Sequence, residues 1–453
     1  MLPTVAEQLG RHFSGLDYDA IPAAEIEKAK RLVLDYFGVA IAGSQTTSGA
    51  IARKFASECA GRPVATLIGS SDRSSAPDAA FANAICSHSI ELDDVDALAL
   101  FHFGPPVVSA ALAAAERNQA SGRDFIAAIV CGCEILARVS AACNFSLRNR
   151  GFHTTPVCGV FGASVAAGKL ADLPPDFMIS ALGLAGAQAS GLMEMYGPSM
   201  QKRFNPGPAA RAGLTAAMMA EFGFTGAATI FEGQRGFCRA YSDHYDLSVL
   251  TDELGDDYHL DIEFKPYSCA RPIHNAIDCA IGVRERLGKA TQTIRGMTMR
   301  RHPDWANYHL NPAPTSYHEA QMSLPYSVAI ALIDGTALPR QYETDRLNHS
   351  EVLRLAGMLV VEPDAGLPRG TSCHLSVETQ DGAVIETQVD YPLGSGERPM
   401  SDTALEEKFH MLADPVTGSG NADRIVEAIR EIETFDISGL MALTANQEAV
   451  RIQ

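Results

Sequence analysis

The chain has 453 residues, of which 46% are hydrophobic and 20% charged, and its formal net charge is 36 − 54 = −18. That length predicts two domains, and the composition supplies apolar material for a large core. A surface this negative repels phosphate backbones, which argues against a nucleic-acid partner, and an acidic substrate would need a local cluster of Lys, Arg and His to receive it.

The N-terminus, "MLPTVAEQLGRHF", lacks a basic start followed by an apolar core, so no secretion signal is expected. "IPAAEIEKAKRLVLDYFGVAIAGS" predicts a helix, with Pro22 in its first turn, Ile26, Ala29, Leu32, Val33 and Phe37 at helical spacing, and Gly43 near its end. "PDAAFANAICSHSIELDD" continues as helix, with Ala80, Ala84 and Ile85 on one face. "GRDFIAAIVCGCEILARVSAAC" and "GVFGASVAAGKLADL" are rich in Ala and Gly, and small residues of this kind let helices approach closely in a bundle. No uninterrupted apolar run reaches membrane-spanning length, so no membrane partner is expected.

The pattern changes near residue 265. "TIRGMTMRR" alternates Ile294, Met297 and Met299 with polar positions, imperfectly, and predicts a strand. "SLPYSVAIALIDG" predicts a helix. In "SCHLSVETQDGAVIETQVDYP" two alternating runs flank Asp381-Gly382, a strong hairpin signal. The tail returns to helix in "DTALEEKFHML", in "NADRIVEAIREIE" and over the last ten or so residues. The expected fold is mainly α with a smaller α+β domain: a helical domain over 1–264, to which 401–453 return, and an α+β lid domain over 265–400. Ten cysteines show no repeated spacing, and Cys131 and Cys133 form a lone C-x-C, so reduced thiols in a cytoplasmic protein are expected.

The chemistry concentrates in a few segments. "HSIELDDVDALALFHFGPP", His88 to Pro106, holds Glu91, Asp93, Asp94 and Asp96 close to His102. The three aspartates approach a helical magnesium-binding motif, but Ala97 stands where its last Asp belongs. Counted as a calcium loop from Glu91, the sixth and twelfth positions are Asp96 and His102, where Gly and Glu are required. Helix capping and ion pairing are the plain alternatives. "RGFHTTPVCGVFG" places His153 at a bend before a small-residue helix. "SMQKRFNPGPAARAG" places Lys202, Arg203 and Arg211 around Pro206-Gly207, and "EFKPYSCARPIHNAID" holds Lys265, Arg271 and His274 between two prolines. Basic groups on Gly/Pro-bent loops before helices suit an anion. Together they form the kit for moving a proton next to a carboxylate, which needs a base or acid of suitable pKa and cations on the developing enolate oxygens. Neither a phosphate-binding glycine loop nor a nucleophile elbow is present.

Over nearly its whole length the chain resembles the MmgE/PrpD family, which includes 2-methylcitrate dehydratase, cis-aconitate decarboxylase and iminodisuccinate epimerase. The resemblance runs through "AFANAICSHSIELDDVD", "HFGPPVVSAALAAAER", "GFHTTPVCGVFGA", "MQKRFNPGPAARAGL", "KPYSCARPIHNAID", "SLPYSVAIALIDG" and "EEKFHML". It implies a homodimer acting on small di- or tricarboxylates, with no metal or organic cofactor and an active site between the domains. It assigns catalytic roles to His102, His153, Lys202, His274 and Tyr326, and substrate binding to Glu91, Asp93 and Lys265, where Arg203 adds a further cation. The chain departs from the family pattern at Phe103 and Thr154, each in place of Pro, at Val95 in place of Thr, and at Asn205 in place of the histidine of K-R-x-H. Dehydration, decarboxylation and epimerisation share one carbanion-like stage, so the resemblance leaves the reaction open. A magnesium enzyme built on the acid cluster and a non-catalytic carboxylate-binding protein are the rival readings.

Overall fold

The computed structural model describes residues 2–59, 61–288 and 290–446. The chain folds as two compact units, one of Met1–Glu194, Gln201–Ile262 and Ser401–Gln453, the other of Met195–Met200 and Glu263–Met400.

The first unit is a packed set of helices. Helix Ala23–Ser44 follows Pro22, and Ile26, Ala29, Leu32, Val33 and Phe37 all point into the core. Helix Ala76–His88 starts at Ser75, whose hydroxyl accepts from the Asp78 N–H, and runs with Pro77 in its first turn. It is buried on every side rather than along the one face the spacing predicts, because other helices pack all round it. Helices Gly104–Asn118, Gly122–Cys143, Thr154–Leu170 and Pro206–Glu221 complete the centre. Gly122–Cys143 is long and apolar enough to cross a membrane by length and composition, and nearly all of it is buried inside this unit.

Small residues set the helix spacing. A Cβ added to Gly132 would lie 2.8 Å from the Gly162 carbonyl oxygen, and one added to Gly162 would lie 2.6 Å from that of Gly132. The two backbones touch where a side chain would separate them. The chain's later helices, Asp402–Thr417, Ser419–Arg430 and Ile437–Ala442, belong to this same unit. Of the helical tail expected at the end of the chain, residues 447–453 lie outside the described residues.

The second unit is α+β. Its four-stranded sheet has the order Leu359–Pro363, Ile294–Arg301, Cys373–Thr379, Val384–Val389; the first pair is parallel and the others antiparallel. The hairpin turns at Asp381-Gly382, where Gly382 has φ +85° and the Thr379 N–H donates to the Ala383 carbonyl at 2.9 Å. The imperfect alternation in the Ile294 strand has a structural cause: the register shifts between Ile294 and Gly296, so Ile294, Met297 and Met299 are all buried. Helices His274–Leu287 and Leu324–Asp334 share one core with Met297, Met299, Cys373, Leu375 and Val377.

Candidate active site

In the first unit, turns between buried helices carry the charged side chains. In the segment after helix Ala76–His88, Glu91 has φ 56°, a left-handed conformation that a non-glycine residue adopts only where its surroundings hold it. His102 lies just ahead of helix Gly104–Asn118, and His153 directly precedes helix Thr154–Leu170. Lys202 and Arg203 sit on the single turn Gln201–Phe204, followed by Asn205 and helix Pro206–Glu221.

The four acids divide into separate tasks. Asp94 caps the next helix: its carboxyl group accepts from the N–H groups of Phe103 at 2.6 Å and Gly104 at 3.0 Å, bonds that only partly offset the burial and the neighbouring Asp93 and Asp35 that hold its pKa well above the usual carboxylate range. Asp96 closes a turn by accepting from the Ala99 N–H at 2.8 Å. Asp93 lies between two histidines, its Oδ2 2.8 Å from His88 Nδ1 and 3.0 Å from His102 Nδ1. Glu91 lies 2.6 Å from the Lys202 ammonium through both carboxylate oxygens and also pairs with the Arg203 guanidinium. Glu91 is therefore the counter-ion of the two cations, and Asp93 the link between two rings. The expectation that both bind substrate meets a carboxylate already occupied by protein groups in each case. The buried Lys408, from helix Asp402–Thr417, steadies this segment by donating to the Leu92 carbonyl at 2.7 Å and pairing with Asp35 at 2.5 Å.

Hydrogen-bond chemistry fixes the protons. His102 Nδ1 faces two acceptors, the Asp93 carboxylate and the Asp94 carbonyl oxygen at 2.5 Å, so it carries the proton and Nε2 carries the lone pair. His88 Nδ1 donates to Asp93, and its Nε2 lies 3.4 Å from the Lys202 ammonium, which can only donate. The His88 and His102 rings meet edge to face at 4.7 Å, and the His102 N–H donates to the Thr155 hydroxyl at 3.2 Å. His153 Nδ1 lies 3.0 Å from the Asn205 amide nitrogen.

Burial and neighbouring cations keep the inner histidines neutral. Burial, with Lys202 opposing Asp93, pushes His88 down to about 3. Burial first, then Lys202, His88, His102 and Arg148, holds His153 well below its ordinary value. His88 was not among the residues singled out by sequence. It is the last residue of a helix that is buried all round, and its only signal was the Asp93 carboxylate five positions later. Glu91, Lys202 and Arg203 together carry one net positive charge, which suits the carboxylate of a substrate.

The acids do not converge into an oxygen cage for magnesium, since Asp93, Asp94 and Asp96 each hold different protein groups. Among the described residues, the set able to offer three ligand atoms to one ion is His88, Asp93 and His102, within 4.8 Å of one another. Two nitrogens and one oxygen are a poor match to Mg²⁺, which prefers oxygen ligands, and the Lys202 ammonium lies beside one of the nitrogens.

The remaining predicted residues belong to the second unit. Lys265 is buried there. His274 begins helix His274–Leu287; its Nδ1 accepts from Arg271 at 3.0 Å, and its Nε2 lies 3.3 Å from the Cys269 carbonyl, so the proton sits on Nε2. Arg271 is also paired with Glu263 at 2.5 Å. Tyr326 is buried in the core of this unit, its hydroxyl donating to the Gln341 carbonyl at 2.8 Å and its ring against Tyr342. Burial raises its pKa, and in this structure its hydroxyl is engaged by the Gln341 carbonyl. Sequence spacing alone does not separate it from a reactive tyrosine.

Comparison with known proteins identifies the family. The MmgE/PrpD N-terminal domain matches residues 7–250, and the MmgE/PrpD C-terminal domain matches residues 267–434. Similar proteins include the cis-aconitate decarboxylase-like protein oryM of Aspergillus oryzae, 29% identical over 94% of this chain and 94% of its own length. Human cis-aconitate decarboxylase is 27% identical, covering 96% of this chain and 93% of its own. The Aspergillus terreus cis-aconitate decarboxylase is 28% identical, covering 97% and 95%. The chain belongs to the MmgE/PrpD family.

Proposed function

We propose that this protein is a cofactor-free lyase of a small tricarboxylate, and that the reaction is decarboxylation of a cis-aconitate-like substrate. The observation that carries the reading is the pairing of a positive locus with two buried histidines in one site: Glu91 with Lys202 and Arg203, beside His102 and His153. The human and Aspergillus terreus relatives named above are cis-aconitate decarboxylases, which favours loss of CO₂ over the loss of water typical of 2-methylcitrate dehydratase.

The chemistry follows from the substrate. In cis-aconitate the CH₂ carbon bearing one carboxylate is next to a C=C bond. When its C–CO₂ bond breaks, the electron pair forms a new C=C, and the former alkene pair moves to the carbon beside another carboxylate. That carboxylate holds the charge as an enolate, and one proton delivered to the carbon completes a five-carbon dicarboxylate. The required parts are a cation on the enolate oxygens and a proton donor at the carbon. Lys202 supplies the first, with Arg203 holding Glu91 in place. His153 supplies the second. His102, with its lone pair at Nε2, accepts a hydrogen bond from a substrate carboxylic acid or water and is positioned by Asp93.

We infer a homodimer, supported by the exposed rings of Phe55 and Phe204, which gather on Phe81 with ring separations of 5.4 and 5.7 Å. A cytoplasmic location is supported by ten free cysteines, most of them buried. The functional reading is tested by incubating the protein with cis-aconitate and, separately, with 2-methylcitrate, and following CO₂ and products by NMR. CO₂ from cis-aconitate supports it; water loss from 2-methylcitrate without CO₂ from cis-aconitate overturns it in favour of the dehydratase.

A further inference from the structure

Asn205 stands where the family pattern has a histidine, and its surroundings define its orientation. Its amide nitrogen Nδ2 lies 3.4 Å from the Leu192 carbonyl oxygen and 3.0 Å from His153 Nδ1. A carbonyl oxygen only accepts, so the amide group facing it is the NH₂ and not the C=O. That NH₂ therefore also faces His153, and His153 Nδ1 is the acceptor. A neutral imidazole has one proton, which places it on Nε2.

We propose that Asn205 is a positioning residue that locks His153 in its Nε2–H tautomer, making it the proton donor of the site, opposite in tautomer to His102. His102 has its proton on Nδ1, held by Asp93 and the Asp94 carbonyl, and exposes a lone pair at Nε2. His153 has its lone pair on Nδ1, held by Asn205, and offers a proton at Nε2. Two histidines of one site are thus set to opposite duties by hydrogen bonds at the far nitrogen, which is how second partners select a ring tautomer. The main chain adds to this fixing: the His153 N–H donates to the Gly191 carbonyl at 3.1 Å, so the ring is anchored at its backbone as well as at Nδ1. The charged and titratable groups around His153 are Lys202, His88, His102 and Arg148, and together with burial they disfavour the imidazolium, leaving the tautomer of the neutral ring as the deciding variable.

The proton balance is simple. His153 Nε2 gives its proton to the carbanion carbon after CO₂ leaves; a C–H bond forms and the N–H bond breaks. The ring, briefly an imidazolate-like acceptor bonded to Asn205 N–H, regains a proton from water before the next turnover. An amide donor at Nδ1 stabilises that electron-rich ring, which a carboxylate partner would not.

This inference rests on the decarboxylase reading for its kinetic consequence but not for its structural one, so the test has two arms. In the first, ¹⁵N-histidine-labelled protein is examined at neutral pH by long-range ¹H–¹⁵N correlation, with His153→Gln used to assign the ring. The expected spectrum has His153 protonated at Nε2 and bare at Nδ1, and His102 the reverse. A proton on His153 Nδ1 overturns the proposal whatever the substrate proves to be. In the second arm, Asn205→Leu removes the donor at similar volume, and Asn205→Asp replaces it with an acceptor. Asn205→Leu is expected to give mixed tautomers and a kcat lower by roughly 10–10³-fold with KM little changed, a split that general loss of structure does not produce. Asn205→Asp pulls the ring proton to Nδ1 at high pH, so its kcat relative to the unsubstituted protein is expected to fall as pH rises. Unchanged tautomer and unchanged kcat in a folded Asn205→Leu protein overturn the proposal. If no carboxylic acid is turned over by any form, the decarboxylase reading fails while the spectrum still decides the tautomer.

Discussion

At the scale of single residues, His153 and His88 are predicted to respond differently to substitution. His153→Gln keeps a hydrogen-bonding side chain of similar reach but cannot release a proton near neutral pH. Turnover is expected to fall by roughly 10²–10⁴-fold with the melting temperature nearly unchanged, and normal turnover by the folded variant would leave His102 as the proton carrier. His88 contributes through stability. It stays neutral in the folded protein down to about pH 3 but is protonated below about 6.5 when unfolded. The unfolded state therefore binds the extra proton, and stability falls as pH drops from above 6.5 toward 3. At pH 5 the loss is about 2 kcal/mol. The stability lead of the protein over His88→Gln should shrink by that amount between pH 7.5 and 5 in denaturant titrations; a constant lead would show that His88 does not titrate this way. The sequence made the basic residues and the acid run visible as a site, because charge on Gly/Pro-bent turns is legible. It did not show which acid does what. That division depends on the left-handed turn at Glu91 and on the start of helix Gly104–Asn118, which captures Asp94. Spacing along the chain carries neither.

At the scale of elements, the helices were legible where a cap and a period coincide, as at Pro22 with Ile26 to Phe37, and the hairpin was legible from Asp381-Gly382. Strand Leu359–Pro363 gave no such signal: it runs straight out of helix Ser350–Met358, lies at the sheet edge and only half-buries Leu359 and Val361 against the core. Ala and Gly content predicted close helix packing, and the Gly132–Gly162 contact is where that prediction can be measured. Gly162→Ala forces a methyl group against the Gly132 carbonyl, 2.6 Å away, on two backbones that cannot both yield. The expected cost is about 1–3 kcal/mol, read as a lower midpoint in urea. No change in midpoint would mean that the helices separate freely there. The change acts on the scaffold behind His153, since Gly162 lies within helix Thr154–Leu170, which His153 directly precedes, and Gly132 within helix Gly122–Cys143 packed against it.

At the scale of the whole molecule, a chain of net charge −18 acting on a polyanion must concentrate its cations, and the structure buries Lys202 and Arg203 together beside Glu91. The fold class, mainly helical with a smaller α+β part, was legible because periodicity changes along the chain; the homodimer is expected from the family resemblance, and the aromatic patch proposed to carry it is visible only where distant residues such as Phe55 and Phe204 come together. A homodimer is expected by light scattering at micromolar concentration, and Phe55→Lys is expected to shift it toward monomer; a monomer for the unsubstituted protein would contradict the dimer. The most direct test of the central claim is turnover of cis-aconitate in D₂O by protein dialysed exhaustively against a strong chelator. The account predicts undiminished CO₂ release and one solvent deuterium on the product carbon beside a carboxylate. Activity that vanishes on dialysis and returns only with a divalent cation, or a substrate recovered intact, would contradict it.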